Sequence, residues 1–314
     1  MKPTILMAPR LLSPLLGRIL EDQFAVLGPL DPITPANLPA GSHDVEALIT
    51  IGGVRTDAAL IAALPRLRLI HCYGTGYEGV DRAAASARGI LVTNAGVANA
   101  EAVAEFAMGL VICAARRILE GDNYIRSGKW KGHAMEELLR PPGLFGRRIG
   151  IYGLGQIGRR IAARAAAFGM EVGYHNRQPS EAPYLYHESV VALADWSNVL
   201  IVAVRASAQN RHIVDSSVLR ALGSEGILVN ISRGSVVDTD ALCDALESNL
   251  IAGAALDVFE EEPTVPERLL VNRNVVLTPH IAAFAASAQR AQQTLALHNL
   301  QALFAGRPLA NLVG

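Results

Sequence analysis

Arg148-Ile149-Gly150-Ile151-Tyr152-Gly153-Leu154-Gly155-Gln156-Ile157-Gly158 is the stretch on which the fold turns. Its first five residues read as a strand that runs directly into a glycine turn, and an Arg/Ala-rich helical segment ending at Gly169 follows. Gly153 permits a tight turn, Gly155 lets the backbone approach a pyrophosphate, and Gly158 lets helix and strand pack closely, with the phosphates held at the helix N-terminus. Alone, a G-x-G-x-x-G spacing is weak, because flexible loops produce it by chance. With a strand before it, a helix after it and a second strand at Glu171–Tyr174, it reads as a dinucleotide-binding turn.

The end of that second strand bears on the cofactor. NAD-binding versions of the turn place Asp or Glu there to accept the ribose hydroxyls. Here, 18 residues after Gly158, the chain reads Tyr174-His175-Asn176-Arg177. Without the carboxylate nothing repels a 2′-phosphate, and Arg177 offers that phosphate a charge-assisted fork, with Asn176, Gln178 or Ser180 as neutral donors. NADP(H) is therefore expected over NAD(H), the bland alternative being a solvated loop arginine.

Outward from this unit, short apolar runs recur at Thr4–Met7, Ala47–Ile51, Leu69–Cys72, Ile90–Val92, Ile149–Tyr152, Glu171–Tyr174, Val199–Val204, Gly226–Asn230, Ala252–Leu256 and Val275–Leu277. Helix-period segments separate most of them, which predicts an α/β protein with mostly parallel sheets covered on both faces. A long helix is expected after Asn99, its candidate N-cap, with Arg116 and Arg117 at its end, and another over 283–304. The segment 120–146, with Trp130 and Pro141-Pro142-Gly143, reads as irregular. The 314 residues suggest about two domains, and 51% hydrophobic against 18% charged residues excludes a disordered chain. A net charge of −1 without a run of like charges argues against nucleic acid as partner. The mean hydropathy is +0.27, but the longest apolar stretch, Phe106 to Ala115, is far short of a span, and the N-terminal apolar run is too short for a secretory signal. No membrane association and a cytoplasmic location are expected. Cys72, Cys113 and Cys243 lie in apolar contexts without C-x-x-C spacing, so they read as buried thiols, with neither disulfides nor a metal site.

Three residues that each follow a predicted strand form a candidate reacting group: Arg233 in Asn230-Ile231-Ser232-Arg233-Gly234, Glu262 in Asp257-Val258-Phe259-Glu260-Glu261-Glu262-Pro263, and His280 in Leu277-Thr278-Pro279-His280-Ile281. In an open parallel sheet the strand carboxyl ends meet at the ligand crevice, so distant residues can converge there. Hydride attack on a 2-oxo acid needs a cation for the carboxylate, a proton for the carbonyl oxygen and a group that keeps the proton donor charged. Arg, His and Glu supply these. Taken singly, each also reads as an ordinary surface or loop residue.

These stretches resemble the D-isomer-specific 2-hydroxyacid dehydrogenase family over most of the chain. Besides the glycine turn, the resemblance rests on Asn230 to Asp238, Leu256 to Phe259 with Glu262-Pro263, and Thr278-Pro279-His280-Ile281, in the family's order and spacing. It implies that Arg233 binds substrate, Glu262 orients the histidine and His280 is the acid/base. Gly74-Thr75-Gly76-Tyr77 resembles the substrate loop, with Thr75 and Gly76 amides on the carboxylate and Ile51 and Gly52 on the facing wall. The cofactor residues so implied are Gly153, Leu154, Gly155, Gln156, Ile157, Gly158, Asn176, Arg177, Ser180, Val204, Arg205, Asn210, Ile231, Ser232, Asp257, His280 and Ala282, with Asp257 on the nicotinamide carboxamide. The cofactor loop, Arg126 to Trp130 and Asn299 to Pro308 most resemble the glyoxylate/hydroxypyruvate reductase branch. That branch implies reduction of a small 2-oxo acid to the (R)-2-hydroxy acid. Alternatives are a 2-ketogluconate or arylpyruvate reductase of the same family, or a dinucleotide-sensing corepressor-like binding protein.

Several positions depart from the family's pattern. Arg205 replaces a proline, Asn210 a threonine, and Phe284 a smaller residue that leaves more room in the pocket. His133 stands where related reductases present an aromatic side chain to the neighbouring subunit's pocket, so it is a candidate substrate contact. The absence of an arginine at Gly52 or Gly53 and of an appended regulatory domain disfavours a phosphorylated substrate. The fold implied is two Rossmann-like or flavodoxin-like parallel-sheet domains. A dinucleotide-binding domain over 99–282, with a dimerisation arm at about 99–146, is inserted in a discontinuous substrate domain of 1–98 and 283–314. The resemblance also implies a homodimer and a cleft between the domains that closes on the substrate.

Overall fold

The computed structural model describes residues 2–8, 14–131, 141 and 143–313. The chain divides into two units, Met1–Asn99 with Ala285–Gly314, and Ala100–Phe284.

In the first unit the described strands are β1 (Thr4–Met7), β2 (Ala25–Leu27), β3 (Val45–Thr50), β4 (Leu69–Cys72) and β5 (Leu91–Thr93), all parallel in the order β2-β1-β3-β4-β5. Between them run the helices α1 (Pro14–Glu21), α2 (Ala58–Ala62) and α3 (Arg82–Ala87). Because successive strand residues point to opposite faces, each strand feeds two cores. Leu6, Leu48 and Ile70 face one side, and Ile5, Ala47, Ile49 and Leu69 the other. That second face is covered by Ala296, Leu300 and Leu303 from the chain's last helix, Ala286–Phe304. Gly306, at φ 62°, ends that helix in the left-handed region.

The second unit begins with α4 (Ala100–Arg116) and α5 (Ile118–Arg126) and continues through β6 (Arg148–Tyr152), α6 (Gln156–Ala167), β7 (Glu171–His175) and β8 (Leu185–Tyr186). Then follow α7 (Val190–Trp196), β9 (Val199–Val202), α8 (Ser216–Leu222), β10 (Ile227–Asn230), α9 (Thr239–Glu247), β11 (Gly253–Leu256), α10 (Glu267–Leu270) and β12 (Val275–Leu277). The described strands form a parallel sheet in the order β12-β11-β10-β9-β6-β7-β8. The order reverses at β6, which pairs with β7 on one side and β9 on the other, and ligands bind at such a reversal. Both faces are covered: Val199 and Ile201 sit in one core, Leu200 and Val202 in the other.

Two expectations are corrected and one is sharpened. The segment 120–146 is not irregular at its start, because α5 occupies Ile118–Arg126, with an Asp122–Arg126 pair one turn apart at 2.7 Å. Arg117 stands just past the end of α4 rather than within it: its N–H bonds the Ala114 carbonyl at 3.4 Å, it turns left-handed at φ 51°, and it pairs with Glu120 at 3.0 Å. The Asn99 side chain does not cap α4: its Oδ1 is buried and has no hydrogen-bond partner among the described residues. The edge strands β2 and β8, three and two residues long, were not anticipated. They are too short to show a period.

Candidate active site

At the end of β6, Gly153 takes φ 106°, and a Cβ there would lie 2.6 Å from the Val204 amide nitrogen. A Cβ on Gly158 would lie 2.1 Å from the Gly153 carbonyl oxygen, so neither position admits a side chain. Nothing lies within 4 Å of where Gly155 would carry one. Gly155 is the N-cap of α6 and no side chain caps that helix, so the first-turn N–H groups, from Gln156 and Ile157 onward, are open to an anion.

Asn176 ties this turn to the cofactor loop. Its Oδ1 accepts from the Leu154 N–H at 2.7 Å, and its Nδ2 donates to Ser180 Oγ at 2.8 Å. Tyr174 braces the same loop by donating its hydroxyl to the Ser180 carbonyl at 2.8 Å and accepting from the Ser180 N–H at 2.9 Å. Asn176 is thus engaged within the protein, which leaves Ser180 Oγ–H and the exposed Arg177 as the outward donors. Among the described residues no carboxylate pairs with Arg177. Its charge reaches the nearly buried Tyr152: burial pushes that phenol's pKa up, while an Asn210 hydrogen bond and Arg177 work against the rise. Beyond β9, Asn210 closes its loop by donating to the Arg205 carbonyl at 2.8 Å and accepting from the Ser207 N–H at 2.7 Å. Val204 accepts from the Ser232 hydroxyl, and Ile231 N–H bonds the Val202 carbonyl at 3.3 Å.

The acid/base residues are set by strand register. Asn230 pairs with Leu256, and Leu256 with Leu277, so the three chains leave β10, β11 and β12 at one level. Asn230 folds the first exit back, accepting from Ser232 N–H at 3.0 Å and donating to the Arg233 carbonyl at 3.1 Å. The Arg233 guanidinium donates to the Ser232 carbonyl at 2.7 Å. His280 stands at φ 53°, a left-handed position that costs a non-glycine residue about 1 kcal/mol. Asp257, 1% exposed, holds it there. Its carboxylate accepts from Thr278 Oγ1 at 2.7 Å and from the N–H groups of Ile281 and Ala282 at 2.9 Å each. Among the described residues Oδ2 takes only the Ala282 bond and keeps a lone pair for another donor.

Glu262 Oε2 lies 2.8 Å from His280 Nδ1, and its Oε1 accepts from the Phe259 N–H at 3.1 Å. Burial pushes the Glu262 carboxyl up, but the His280 hydrogen bond and charge, the Phe259 N–H and the charge of Arg233 outweigh it and hold the group below its ordinary value. An ionised carboxylate can only accept, so Nδ1 carries a proton and Nε2 is the atom left to exchange one.

The first unit contributes a loop. A Cβ on Gly52, just past β3 and the half-buried Ile51, would lie 1.9 Å from the Gly76 carbonyl oxygen, so the two backbones touch. Asn94 Nδ2 donates to the Thr75 carbonyl at 2.7 Å and the Gly79 N–H to the Gly52 carbonyl at 2.6 Å. In a trans peptide the Gly76 N–H points opposite the Thr75 carbonyl, away from Asn94. The N–H groups of Thr75 and Gly76 bond no other group among the described residues, which leaves two donors for an anion. Asn94, the clamp on this loop, was not singled out in the sequence, although its place just after a strand is a usable signal. His133 lies outside the described residues.

Over residues 108–282 the chain matches the model of the family described as D-isomer specific 2-hydroxyacid dehydrogenase, NAD binding domain. It is 40% identical over 268 residues to a glyoxylate/hydroxypyruvate reductase A of Arabidopsis thaliana, covering 85% of each chain. It is 38% identical over 269 residues to a hydroxyphenylpyruvate reductase of Plectranthus scutellarioides, again covering 85% of each. Among solved structures, the NADPH-dependent glyoxylate/hydroxypyruvate reductase of Sinorhizobium meliloti, in complex with NADP and malonate, superposes with a TM-score of 0.92 at 37% identity. That match covers 100% of this chain and 97% of the other.

Proposed function

We infer, because this chain belongs to the D-isomer-specific 2-hydroxyacid dehydrogenase family and is thereby a nicotinamide-dependent oxidoreductase, that it reduces glyoxylate or hydroxypyruvate to the (R)-2-hydroxy acid, with NADPH preferred over NADH. The observation that carries this reading is the 2.8 Å Glu262–His280 pair, at strand ends of the same sheet that bears the glycine turn.

The residues present fit a dinucleotide: the uncapped start of α6 and the open space at Gly155 suit a pyrophosphate. Arg177 and Ser180 suit a 2′-phosphate, and nothing acidic stands at Asn176 to repel it. When bound, the reduced cofactor supplies the hydride that becomes the C2 hydrogen. In the second unit, Arg233 presents its planar fork to the carboxylate and carbonyl oxygen of a 2-oxo acid. His280 gives the proton on Nε2 to the oxygen that becomes the hydroxyl, while Glu262 fixes the ring and offsets the imidazolium charge. In the first unit, the open Thr75 and Gly76 amides suit a carboxylate. The dinucleotide role of 99–282 and the substrate role of the remainder belong to this reading. Ile118, Leu119, Ile125 and Trp130, each about half exposed on α5 and just after it, support a homodimer. The three cysteines stand free, which suits a reducing cytoplasm.

A second reading, reduction of arylpyruvates, is favoured by the place of Phe284, which stands out in solvent instead of filling the pocket as its size implies and so offers an apolar face to an aryl ring. Phe284 is 77% exposed, and its N–H bonds the Ile281 carbonyl at 2.8 Å, one turn on from His280. The relative named hydroxyphenylpyruvate reductase points the same way. Oxidation of NADPH, then NADH, with glyoxylate, hydroxypyruvate, 2-ketogluconate, pyruvate and phenylpyruvate tests both readings. Highest kcat/KM with glyoxylate or hydroxypyruvate and NADPH is expected; phenylpyruvate ahead of both favours the second reading, and no turnover of any of them overturns the enzyme assignment.

A further inference from the structure

Glu262 is useful only where its carboxylate meets His280; the loop after β11 that bears it packs through Val258, Phe259 and Val265, but its Glu260-Glu261-Glu262 stretch has no apolar side chain to hold it. A cavity of about 230 Å³ opens between that loop, at Phe259, Thr264 and Pro266, and the body of the unit at Leu242, Leu256 and Leu269. Polar bonds must therefore fix the loop, and they converge on Glu260, a residue the reaction does not use. Its Oε1 accepts from Thr239 Oγ1 at 2.7 Å and from the Thr239 N–H at 3.2 Å. Oε2 lies 2.7 Å from His212 Nε2 and 3.2 Å from an Arg211 guanidinium nitrogen. Thr239 opens α9, where the helix dipole favours an anion; the N-cap Asp238 takes the Ala241 N–H at 3.0 Å, and Glu260 takes that of Thr239. His212 is itself anchored, its N–H on the Ser235 carbonyl at 2.8 Å and its Nδ1 3.9 Å from Asp238 Oδ2. Burial pushes the Glu260 carboxyl up, but the His212 and Thr239 hydrogen bonds and the His212 charge prevail and keep it below its ordinary value.

What Glu260 fixes is the peptide before it. A Cβ on Gly234 would lie 1.9 Å from the Phe259 carbonyl carbon and 2.2 Å from the Glu260 nitrogen, so the turn that carries Arg233 rests on this peptide. The N–H of Phe259 also holds Glu262 Oε1. We propose that Glu260, clamped by Thr239, His212 and Arg211, is a positioning residue that sets the Glu262–His280 pair and the seat of Arg233. The proposal rests on the acid/base role given to that pair above.

The test is Glu260→Ala, with Thr239→Val as a milder variant that removes the hydroxyl donor and keeps the N–H. If Glu260 positions the pair, kcat falls about ten- to hundredfold while KM for NADPH stays within about twofold, since misplacing reacting groups by about 1 Å costs that much. The alkaline limb of the kcat/KM profile for reduction moves to lower pH, because an imidazolium that has lost its carboxylate neighbour gives up its proton sooner. Thr239→Val moves the same quantities less far. In the double variant Glu260→Ala/Glu262→Gln the two losses are less than additive, since Glu260 acts in part through Glu262. Additive losses, or an unmoved pH limb in both folded variants, overturn the proposal. If Glu260→Ala does not fold, Thr239→Val decides.

Should the native enzyme turn over no 2-oxo acid, the functional reading fails by itself. Histidine ¹⁵N spectra then decide the positioning, with His280 assigned by its disappearance in His280→Gln. A His280 Nδ1–H signal displaced in Glu260→Ala as it is in Glu262→Gln supports positioning; an unchanged signal refutes it.

Discussion

At the scale of single residues the chemistry rests on few atoms. His280→Ala removes the only group assigned to donate the proton, and turnover is expected to fall by about two to four orders of magnitude. NADPH binding, followed by its fluorescence, survives, because the glycine turn is untouched. Arg233→Lys keeps the charge but loses the fork, and kcat/KM should drop about ten- to hundredfold; near-native kinetics would remove Arg233 from the site. Asn176 permits a finer test. In Asn176→Asp a carboxylate oxygen still accepts the Leu154 N–H, but the donor to Ser180 is gone and a negative charge faces the 2′-phosphate. The ratio of NADPH to NADH efficiency is expected to fall about ten- to hundredfold, as it is in Arg177→Ala. Unchanged ratios in both variants would refute the cofactor preference. The sequence pointed to Arg233, Glu262 and His280 chiefly through the family's motifs, with their places after strands adding a little, and the structure brings Glu262 and His280 together at 2.8 Å. The supports of these residues were not legible in it. Asn94 under Thr75, Asp257 under His280 and Thr239 under Glu260 are joined across 19 to 25 residues by bonds that leave no periodic trace.

At the scale of elements, β4 carries a titratable group into the core of the first unit. His71 is 1% exposed, Nδ1 meets Thr93 Oγ1 at 2.9 Å, and Nε2 has no partner among the described residues. Burial pushes the imidazole down to about 4. The unfolded chain, titrating near 6.5, takes up its proton first. The stability that accompanies a neutral His71 is thus complete above about pH 6.5 and drains away as pH falls to about 4, by up to roughly 3 kcal/mol. Urea unfolding of the first unit should weaken over that window, and His71→Gln should flatten the decline; an identical slope in the variant refutes the assignment. Fully buried, wholly apolar strands such as β9 were plain in the sequence, whereas α5 was not. Gly121 and the charged residues of Ile118–Arg126 dilute its apolar signal, and its isoleucines face outward, so no buried stripe announced a helix.

At the scale of the whole molecule, the homodimer reading predicts that Ile118→Glu/Ile125→Glu sediments as a single 33.3 kDa chain while the native protein sediments at about twice that mass. A native protein that is already monomeric refutes it. The helix Ala286–Phe304 has a different consequence. Ile5, Met7, Ala47, Ile49 and Leu69 lie 227 or more residues ahead of the Ala296, Leu300 and Leu303 that cover them. As the ribosome emits the chain, the face made early cannot finish its core until Ala286–Phe304 has appeared, and the last strand of the segment made in between, Val275–Leu277, precedes that helix. The order of birth and the order of completion are therefore reversed for part of this protein. During that interval the sheet face has only Leu16 and Leu20 of α1 and Phe24 against it, and the part left bare is the natural place for a chaperone to hold.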